Sequence, residues 1–186
     1  MFRKKIITFI LSILFWSPAF GNAFFDKGCQ DAVALYIGQS IGILSMPEVF
    51  TPHKWEFERM TMVGFQYSQP GTFFRLPMRQ NLNIVNNIDY SRNPSGKSFV
   101  MAGISWDAAI VDWRGFYFGL GIGPYYRDLK DSRVGSRMMF GEKIFMGYKI
   151  EKNTALEFFF QHFSNGDFAE PNLGFNYIGL AGVFNF

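Results

Sequence analysis

The sequence predicts an all-β fold, an eight-stranded antiparallel transmembrane β-barrel. Three observations predict it: strand-length segments alternate between apolar and polar or small residues, the connections alternate between long and short, and an apparent secretion signal precedes them. Apolar-out, polar-in segments of about ten residues, joined by short turns and longer loops, are typical of outer-membrane barrels. A barrel of eight strands is filled by its own side chains, so the pattern argues against a channel.

The beginning of the chain has the organisation of a secretory signal peptide. Three basic residues precede an apolar stretch over 6–16, and small residues that suit a cleavage site follow. The apolar stretch is too short to favour a spanning helix. We therefore expect 1–23 to be a signal peptide and 24–186 to form the barrel.

The signal peptide accounts for the whole net charge of the chain. The sequence has 18 Lys plus Arg and 15 Asp plus Glu, and three of the basic residues lie in the signal, which leaves 15 against 15. This balance argues against nucleic acid as a partner. With one cysteine and two histidines the chain has too few ligands for a structural zinc site. We expect no metal held by these residues and no cofactor.

Eight segments of barrel-strand length follow the signal. The predicted strands are 32–44, 55–68, 72–88, 98–112, 115–126, 136–151, 154–164 and 175–186. The first alternates poorly, whereas the fourth, fifth and sixth alternate cleanly. In the fourth, for example, Ile104 and Trp106 share one face while Ser105 and Asp107 share the other. Because the apolar faces lack polar residues over whole strands, a membrane barrel is favoured over a secreted, lipocalin-like barrel with a polar exterior.

The connections support the same topology independently. We predict tight turns at 69–71, 113–114 and 152–153, and longer loops near 45–54, 89–97, 127–135 and 165–174. In outer-membrane barrels the short turns face the periplasm and the long loops face the exterior. The even number of strands then places both ends of the barrel on the periplasmic side.

The seventh predicted strand carries two residues of catalytic value on its apolar face. Alternation puts His162 and Ser164 on the same side as the apolar residues that begin the strand. At a rise of about 3.3 Å per residue and a tilt of about 40°, His162 lies roughly 23 Å above the preceding turn, near the outer edge of an apolar band about 25 Å tall. A serine beside a histidine is a nucleophile with a candidate base. A polar belt at headgroup level accounts for the pair equally well at this point.

Two neighbours could orient the histidine. A turn centred on 152–153 pairs Glu142 of the sixth strand with His162 or Ser164. A carboxylate facing lipid is costly unless it is paired, which favours Glu142 as the partner. Asn176 opens the eighth strand on its outward face, and an asparagine can orient a histidine without bringing a charge. The residues alone leave both partners open.

Several segments resemble a known family. His-Phe-Ser-Asn-Gly at 162–166, followed by Pro-Asn-Leu-Gly at 171–174, resembles the H-x-S-N motif and the following loop of the lipid A 3-O-deacylase (PagL) family of outer-membrane enzymes. Segments 67–70, 73–77 and 140–143 are similar to family segments as well. The resemblance covers most of the chain after the signal. It implies an eight-stranded barrel whose Ser-His-acid triad faces the outer leaflet and hydrolyses the ester-linked acyl chain at the 3-position of lipid A.

The resemblance also implies roles for individual residues. Ser164 would be the nucleophile and His162 the base of a serine esterase that needs no cofactor. Asn165 and the Gly166 N–H would donate to the oxyanion.

The third member of the triad departs from the family pattern. The position fourteen residues past the histidine is Glu in the best-known member of the family and Asn176 in this chain. We expect Glu142 to be the charged partner, with Asn176 assisting. Asp167 and Glu170 are further candidates in the adjoining loop.

The expected location is the bacterial outer membrane, with the site facing the outer leaflet and lipopolysaccharide and membrane lipid as partners. Four basic residues in or next to the third long loop could hold the phosphates of lipid A, although an ordinary solvated loop accounts for them equally well: Arg127, Lys130, Arg133 and Arg137. The patterns leave open whether the barrel is a monomer or a homodimer. Two alternatives stay open for the function: a non-enzymatic structural or adhesin barrel, and another lipid A-modifying barrel such as an acyltransferase.

Overall fold

The chain forms a closed barrel of eight antiparallel strands in a computed structural model, which describes residues 31–44, 46–73, 76–91 and 98–186. The strands are β1 (Ala32–Ser40), β2 (Met60–Phe73), β3 (Leu76–Asp89), β4 (Phe99–Trp113), β5 (Phe116–Arg127), β6 (Met138–Glu151), β7 (Thr154–Ser164) and β8 (Phe175–Asn185). Each strand pairs with its neighbours in sequence, and β8 closes the barrel against β1. The predicted fold is confirmed. The predicted signal peptide lies outside the described residues.

The two faces of the wall differ as the alternation predicts. Leu35, Ile84 and Ile122 point outward and are 68%, 55% and 56% exposed, whereas Arg79 and Asp107 are buried inside. An apolar exterior around a polar interior is the arrangement of a membrane barrel and the opposite of a lipocalin-like one. The apolar band on the outside is the surface that meets lipid.

Charged side chains fill the middle of the barrel. The Arg79 guanidinium lies 2.8 Å from a Glu157 carboxylate oxygen and 3.0 Å from one of Asp107, and Lys143 also pairs with Asp107. The Tyr117 hydroxyl donates to Glu157 at 2.8 Å. Buried charges are tolerated when they are paired and hydrogen-bonded, and here both carboxylates are. This network cross-links the five strands from β3 to β7 through the interior.

Short turns lie at one end of the barrel and longer loops at the other. The turn between β6 and β7 falls at 152–153, as predicted. The turn between β4 and β5 lies one residue later than predicted, at 114–115, where Arg114 and Gly115 both have positive φ (49° and 89°). Two residues of positive φ suit the twist of a two-residue hairpin.

The predicted turn at 69–71 is wrong. These residues continue β2, where Pro70 pairs with Arg79 of β3, and the hairpin closes only beyond Phe73. Within the described residues, the pairing of β2 with β1 ends at Ser68. Pro70 lies beyond the described pairs with β1, and a proline is tolerated where its missing N–H is not needed by a neighbouring strand.

The first long loop is longer than predicted and lies against the barrel. Strand β1 ends at Ser40, where Gly42 with φ 89° turns the chain away, and β2 begins only at Met60. The loop contains a one-turn helix, α1 (Met46–Val49), and a 3₁₀ turn (Pro52–Lys54). No helix in the described ranges is long and apolar enough to cross a membrane.

The loop is fixed to the outside of the barrel by an apolar cluster. Ile41, Leu44 and Val49 of the loop are buried together with Phe160, which points outward from β7. The cluster lies next to the outward face that carries the predicted catalytic pair. The first loop is therefore a structural neighbour of the site.

Candidate active site

His162 is bonded to Asn176 on the outward face of the barrel. The two residues are directly paired across β7 and β8, and His162 Nδ1 lies 2.8 Å from Asn176 Oδ1. The Asn176 Nδ2 group donates in turn to the backbone carbonyls of Gly42 (2.9 Å) and Leu44 (3.4 Å) in the first loop. As a result Asn176 is fully buried although it lies on the lipid side of the wall.

These bonds fix the tautomer of the histidine. The two loop carbonyls can only accept, so the NH₂ group of Asn176 must face them and its oxygen must face the imidazole. An amide oxygen is also only an acceptor, so Nδ1 of His162 carries the proton. The other ring nitrogen, Nε2, is left unprotonated in the neutral ring, which is the state that a general base requires.

Gly174 lies against the imidazole ring from the loop that follows β7. Its φ is 68°, and a Cβ added there would lie 2.7 Å from His162 Cε1. A side chain at this position would therefore displace the ring. The sequence motif includes this glycine, but its contact with the histidine was not predicted.

Ser164 follows two residues along β7, on the same face as His162. It is half-buried and pairs in register with Phe140 of β6. Within the described ranges its hydroxyl makes no hydrogen bond. The Phe168 ring packs 5.8 Å from the Phe140 ring, so the serine lies beside an apolar surface. Catalytic hydrogen bonds are often formed only in the complex with substrate, so an unbonded hydroxyl is compatible with a nucleophile.

Glu142 is the register partner of His162 on β6, as predicted, but it is not bonded to the ring. Its carboxylate makes no hydrogen bond or ion pair with any residue that the structure describes. The expectation that Glu142 is the charged partner of the histidine therefore differs from this geometry. The reason is the first loop, which holds the amide of Asn176 against Nδ1 from the opposite side of the strand.

The acids of the fourth long loop also make no hydrogen bond to the histidine in the described part of the chain. Asp167 accepts a hydrogen bond from Asn172 Nδ2 at 2.7 Å, and Glu170 is exposed. Across the described segments, no three His, Cys, Asp or Glu side chains cluster closely enough to hold a metal ion.

The two residues expected to donate to an oxyanion differ in what they can offer. Asn165 is fully buried, its side-chain amide donates to the backbone of Ala169, and its N–H donates to Asn172 Oδ1 at 2.9 Å. The side chain of Asn165 therefore holds the loop in shape. The Gly166 N–H has no hydrogen-bond partner among the described residues and stays available to a ligand.

Comparison with known proteins identifies the family of the chain. The family described as lipid A 3-O-deacylase (PagL) matches residues 45–184. The chain belongs to this family. The matched range includes His162, Ser164, Gly174 and Asn176. It begins after Gly42 and Leu44 of the first loop.

A curated relative supports the assignment over part of the chain. The lipid A deacylase PagL of Bordetella bronchiseptica is 30% identical over 107 residues. That match spans 53% of this chain and 56% of the relative, so the chain matches a little over half of the relative's length.

Solved structures share the barrel. The crystal structure of the outer membrane enzyme PagL superposes with a TM-score of 0.54 at 14% identity and covers 83% of this chain and 99% of that one. The N-terminal β-barrel domain of Pseudomonas aeruginosa OprF (TM-score 0.55, 11% identity, 85% and 98%) and the Neisserial surface protein A (TM-score 0.55, 11% identity, 86% and 98%) are similar. These likenesses show the fold, which is that of an outer-membrane β-barrel.

The basic residues expected to hold phosphates separate into two groups in this family member. Arg127 is fully buried, pairs with Asp131 at 2.8 Å and packs over the Phe99 ring, so it cannot reach a headgroup. Lys130 and Arg137 are exposed on the third long loop.

Arg133 also differs from the expectation of a phosphate ligand. Its guanidinium pairs with Glu58 at 2.7 Å and donates to the carbonyl of Gly174. Sequence reasoning missed this contact, and it missed the loop carbonyls that hold Asn176. Every residue has a backbone carbonyl, so the sequence contains no signal for such bonds.

Proposed function

We propose that this protein is a lipid A deacylase of the outer membrane, which removes the ester-linked acyl chain at the 3-position of lipid A from the outer leaflet. One observation carries the proposal: His162, whose Nδ1 is bonded to Asn176 and whose Nε2 is unprotonated, shares the lipid-facing side of β7 with Ser164 in a chain that belongs to this family. The substrate is part of the surrounding membrane, so a site on the outside of the barrel reaches it directly.

Ser164 is the nucleophile in this mechanism. Its Oγ attacks the ester carbonyl carbon while His162 Nε2 takes the hydroxyl proton. Asn176 accepts from the protonated Nδ1 throughout, so the ring keeps its orientation as it becomes an imidazolium. A neutral amide stabilises the imidazolium less than a carboxylate would, and orientation is its main contribution.

The Gly166 N–H donates to the oxyanion that forms on the carbonyl oxygen. When the tetrahedral intermediate collapses, the bond to the sugar 3-oxygen breaks and His162 returns the proton to that oxygen. The acyl chain is then an ester of Ser164. A water molecule, deprotonated by His162, hydrolyses this ester, releases a 3-hydroxy fatty acid and restores the serine.

The surface around the serine suits an acyl chain. Met138 on β6, and Phe168 and Leu173 in the fourth loop are exposed near the serine, and Phe158 is exposed further along β7. An acyl chain in the bilayer is already surrounded by hydrocarbon, so its contact with these residues removes no apolar surface from water. This surface therefore positions the ester more than it adds to the binding affinity. Lys130 and Arg137 lie on the loop side, where they meet phosphates of the headgroup.

The experiment is the mass of lipid A after incubation of lipopolysaccharide with purified, folded protein. We expect the loss of one 3-hydroxyacyl chain, which is abolished in Ser164→Ala and in His162→Ala. Ser132→Ala, a serine exposed on the third loop, is the matched control and should leave the cleavage unchanged. An unchanged spectrum with folded wild-type protein contradicts the proposal and favours a structural barrel. A gain of mass from a phospholipid donor favours an acyltransferase.

A further inference from the structure

We infer that Arg133 is a positioning residue for the His162–Asn176 pair, an inference that rests on the function proposed above. Arg133 lies on the third long loop and contacts neither the serine nor the histidine in the described structure. Instead it contacts two segments of the chain, each of which touches one member of the pair. One is the base of the first loop, and the other is Gly174.

The first contact anchors the loop that holds Asn176. Arg133 Nη1 lies 2.9 Å and 2.7 Å from the two carboxylate oxygens of Glu58. Glu58 stands where the first loop returns to the barrel, since its N–H donates to the Ser40 carbonyl (3.1 Å) and its carboxylate accepts from the Ser40 hydroxyl. The carbonyls that accept from Asn176 belong to Gly42 and Leu44, two and four residues after Ser40. Arg133 thus holds the base of the segment that orients Asn176.

The second contact supports the imidazole from the opposite side. Arg133 Nε donates to the carbonyl of Gly174, the residue that lies against His162 Cε1. The neighbouring Leu173 N–H donates to the Arg133 carbonyl at 3.0 Å, and the guanidinium stacks 4.6 Å from the Phe175 ring centroid. These contacts hold Gly174 in place against the imidazole ring.

Only an arginine can make both contacts at once. Nη1 and Nε of one planar guanidinium donate in two directions with a fixed angle between them, whereas a lysine presents one compact ammonium. The side chain of Arg133 is 15% exposed and that of Glu58 32%, so the pair is partly shielded from water. Replacement of the arginine by lysine keeps the charge and loses the fixed geometry.

This role can be distinguished from a phosphate contact by kinetics. A residue that binds the substrate headgroup mainly affects KM, whereas one that orients the base affects kcat. Arg133→Lys and Glu58→Gln are the test variants, with lipopolysaccharide as substrate and the protein in detergent micelles. Arg114→Lys, at the exposed turn between β4 and β5, is the matched control.

We expect Arg133→Lys to lower kcat by roughly tenfold or more, with KM changed by less than about twofold. Glu58→Gln, which keeps an acceptor for Arg133, should lower kcat less, and Arg114→Lys should match the wild type. An unchanged kcat in folded Arg133→Lys, or a rise confined to KM, overturns the inference.

A second readout needs no catalysis. In the Ser164→Ala background, ¹⁵N NMR of the His162 ring should show a single Nδ1–H tautomer, and Arg133→Lys should turn it into a mixture. Unchanged ring signals overturn the positioning role even if lipid A is not the substrate. Conversely, a tautomer change without any deacylation by the wild type supports the positioning role and removes the proposed function.

Discussion

Asn176 takes the position of the triad acid in the proposed mechanism, and it can do so because both ends of its amide are bonded. The oxygen accepts from His162 Nδ1, and the nitrogen donates to the carbonyls of Gly42 and Leu44. In a carboxylate at this position, one oxygen would replace the amide nitrogen and face the carbonyl oxygens of Gly42 and Leu44. Neither side would then have a hydrogen to donate. The first loop therefore suits an asparagine, and it does not suit the acid that the family pattern suggests.

We predict that Asn176→Asp loses activity although it restores a carboxylate. The buried, unsatisfied acceptor should lower the free energy of unfolding by about 1–3 kcal/mol, or detach the first loop. Deacylation rates and urea unfolding in lipid vesicles measure the two effects. Glu142→Gln is the companion variant, and it should keep near-wild-type activity because its carboxylate bonds to no described residue. Activity that rises in Asn176→Asp or disappears in Glu142→Gln would identify a charged triad instead.

The fourth long loop supplies the contact that fixes the imidazole from outside the strand. We predict that Gly174→Ala lowers the deacylation rate by roughly 100-fold, because displacement of a catalytic group by about 1 Å has effects of this size. The new methyl group would overlap His162 Cε1, and the backbone φ of 68° adds strain.

Gly182→Ala is the control for this loop variant. Gly182 lies on the outward face of β8, and an added Cβ there has no atom within 4 Å. Both variants should fold, which is checked by the difference in gel mobility between unheated and heated samples. Equal activity in the two alanine variants would show that the ring does not depend on Gly174.

Strand β7 was predictable and the first loop was not, for a physical reason. Strand alternation and a two-residue turn fix the face and the register, so the proximity of Glu142 and Asn176 to His162 followed from the sequence. The choice between these two neighbours depends on backbone carbonyls of a loop that returns to the wall. The turn predicted at Pro70 was wrong because a proline usually marks a turn, whereas Pro70 stands inside β2, two residues beyond its last described pair with β1.

The barrel as a whole separates two kinds of polar group. Inside, Arg79, Asp107, Glu157 and Lys143 neutralise one another and make a rigid frame. Outside, the described wall is mostly apolar, and the first loop covers Asn176 of the His162–Asn176 pair. Composition and alternation predict this division. The inward direction of Arg127 was not predictable, because a basic residue at a strand end suits the headgroup region and the interior equally well.

The central claim is that Ser164 is a nucleophile activated by His162 on the lipid-facing wall. The most direct measurement is peptide mapping by mass spectrometry after reaction of the folded protein with an alkyl fluorophosphonate, which labels activated serines. We predict one adduct, on Ser164, which disappears in His162→Ala and persists in Ser132→Ala. Absence of an adduct on Ser164 in protein that deacylates lipid A, or an equal adduct in the absence of His162, would contradict the account.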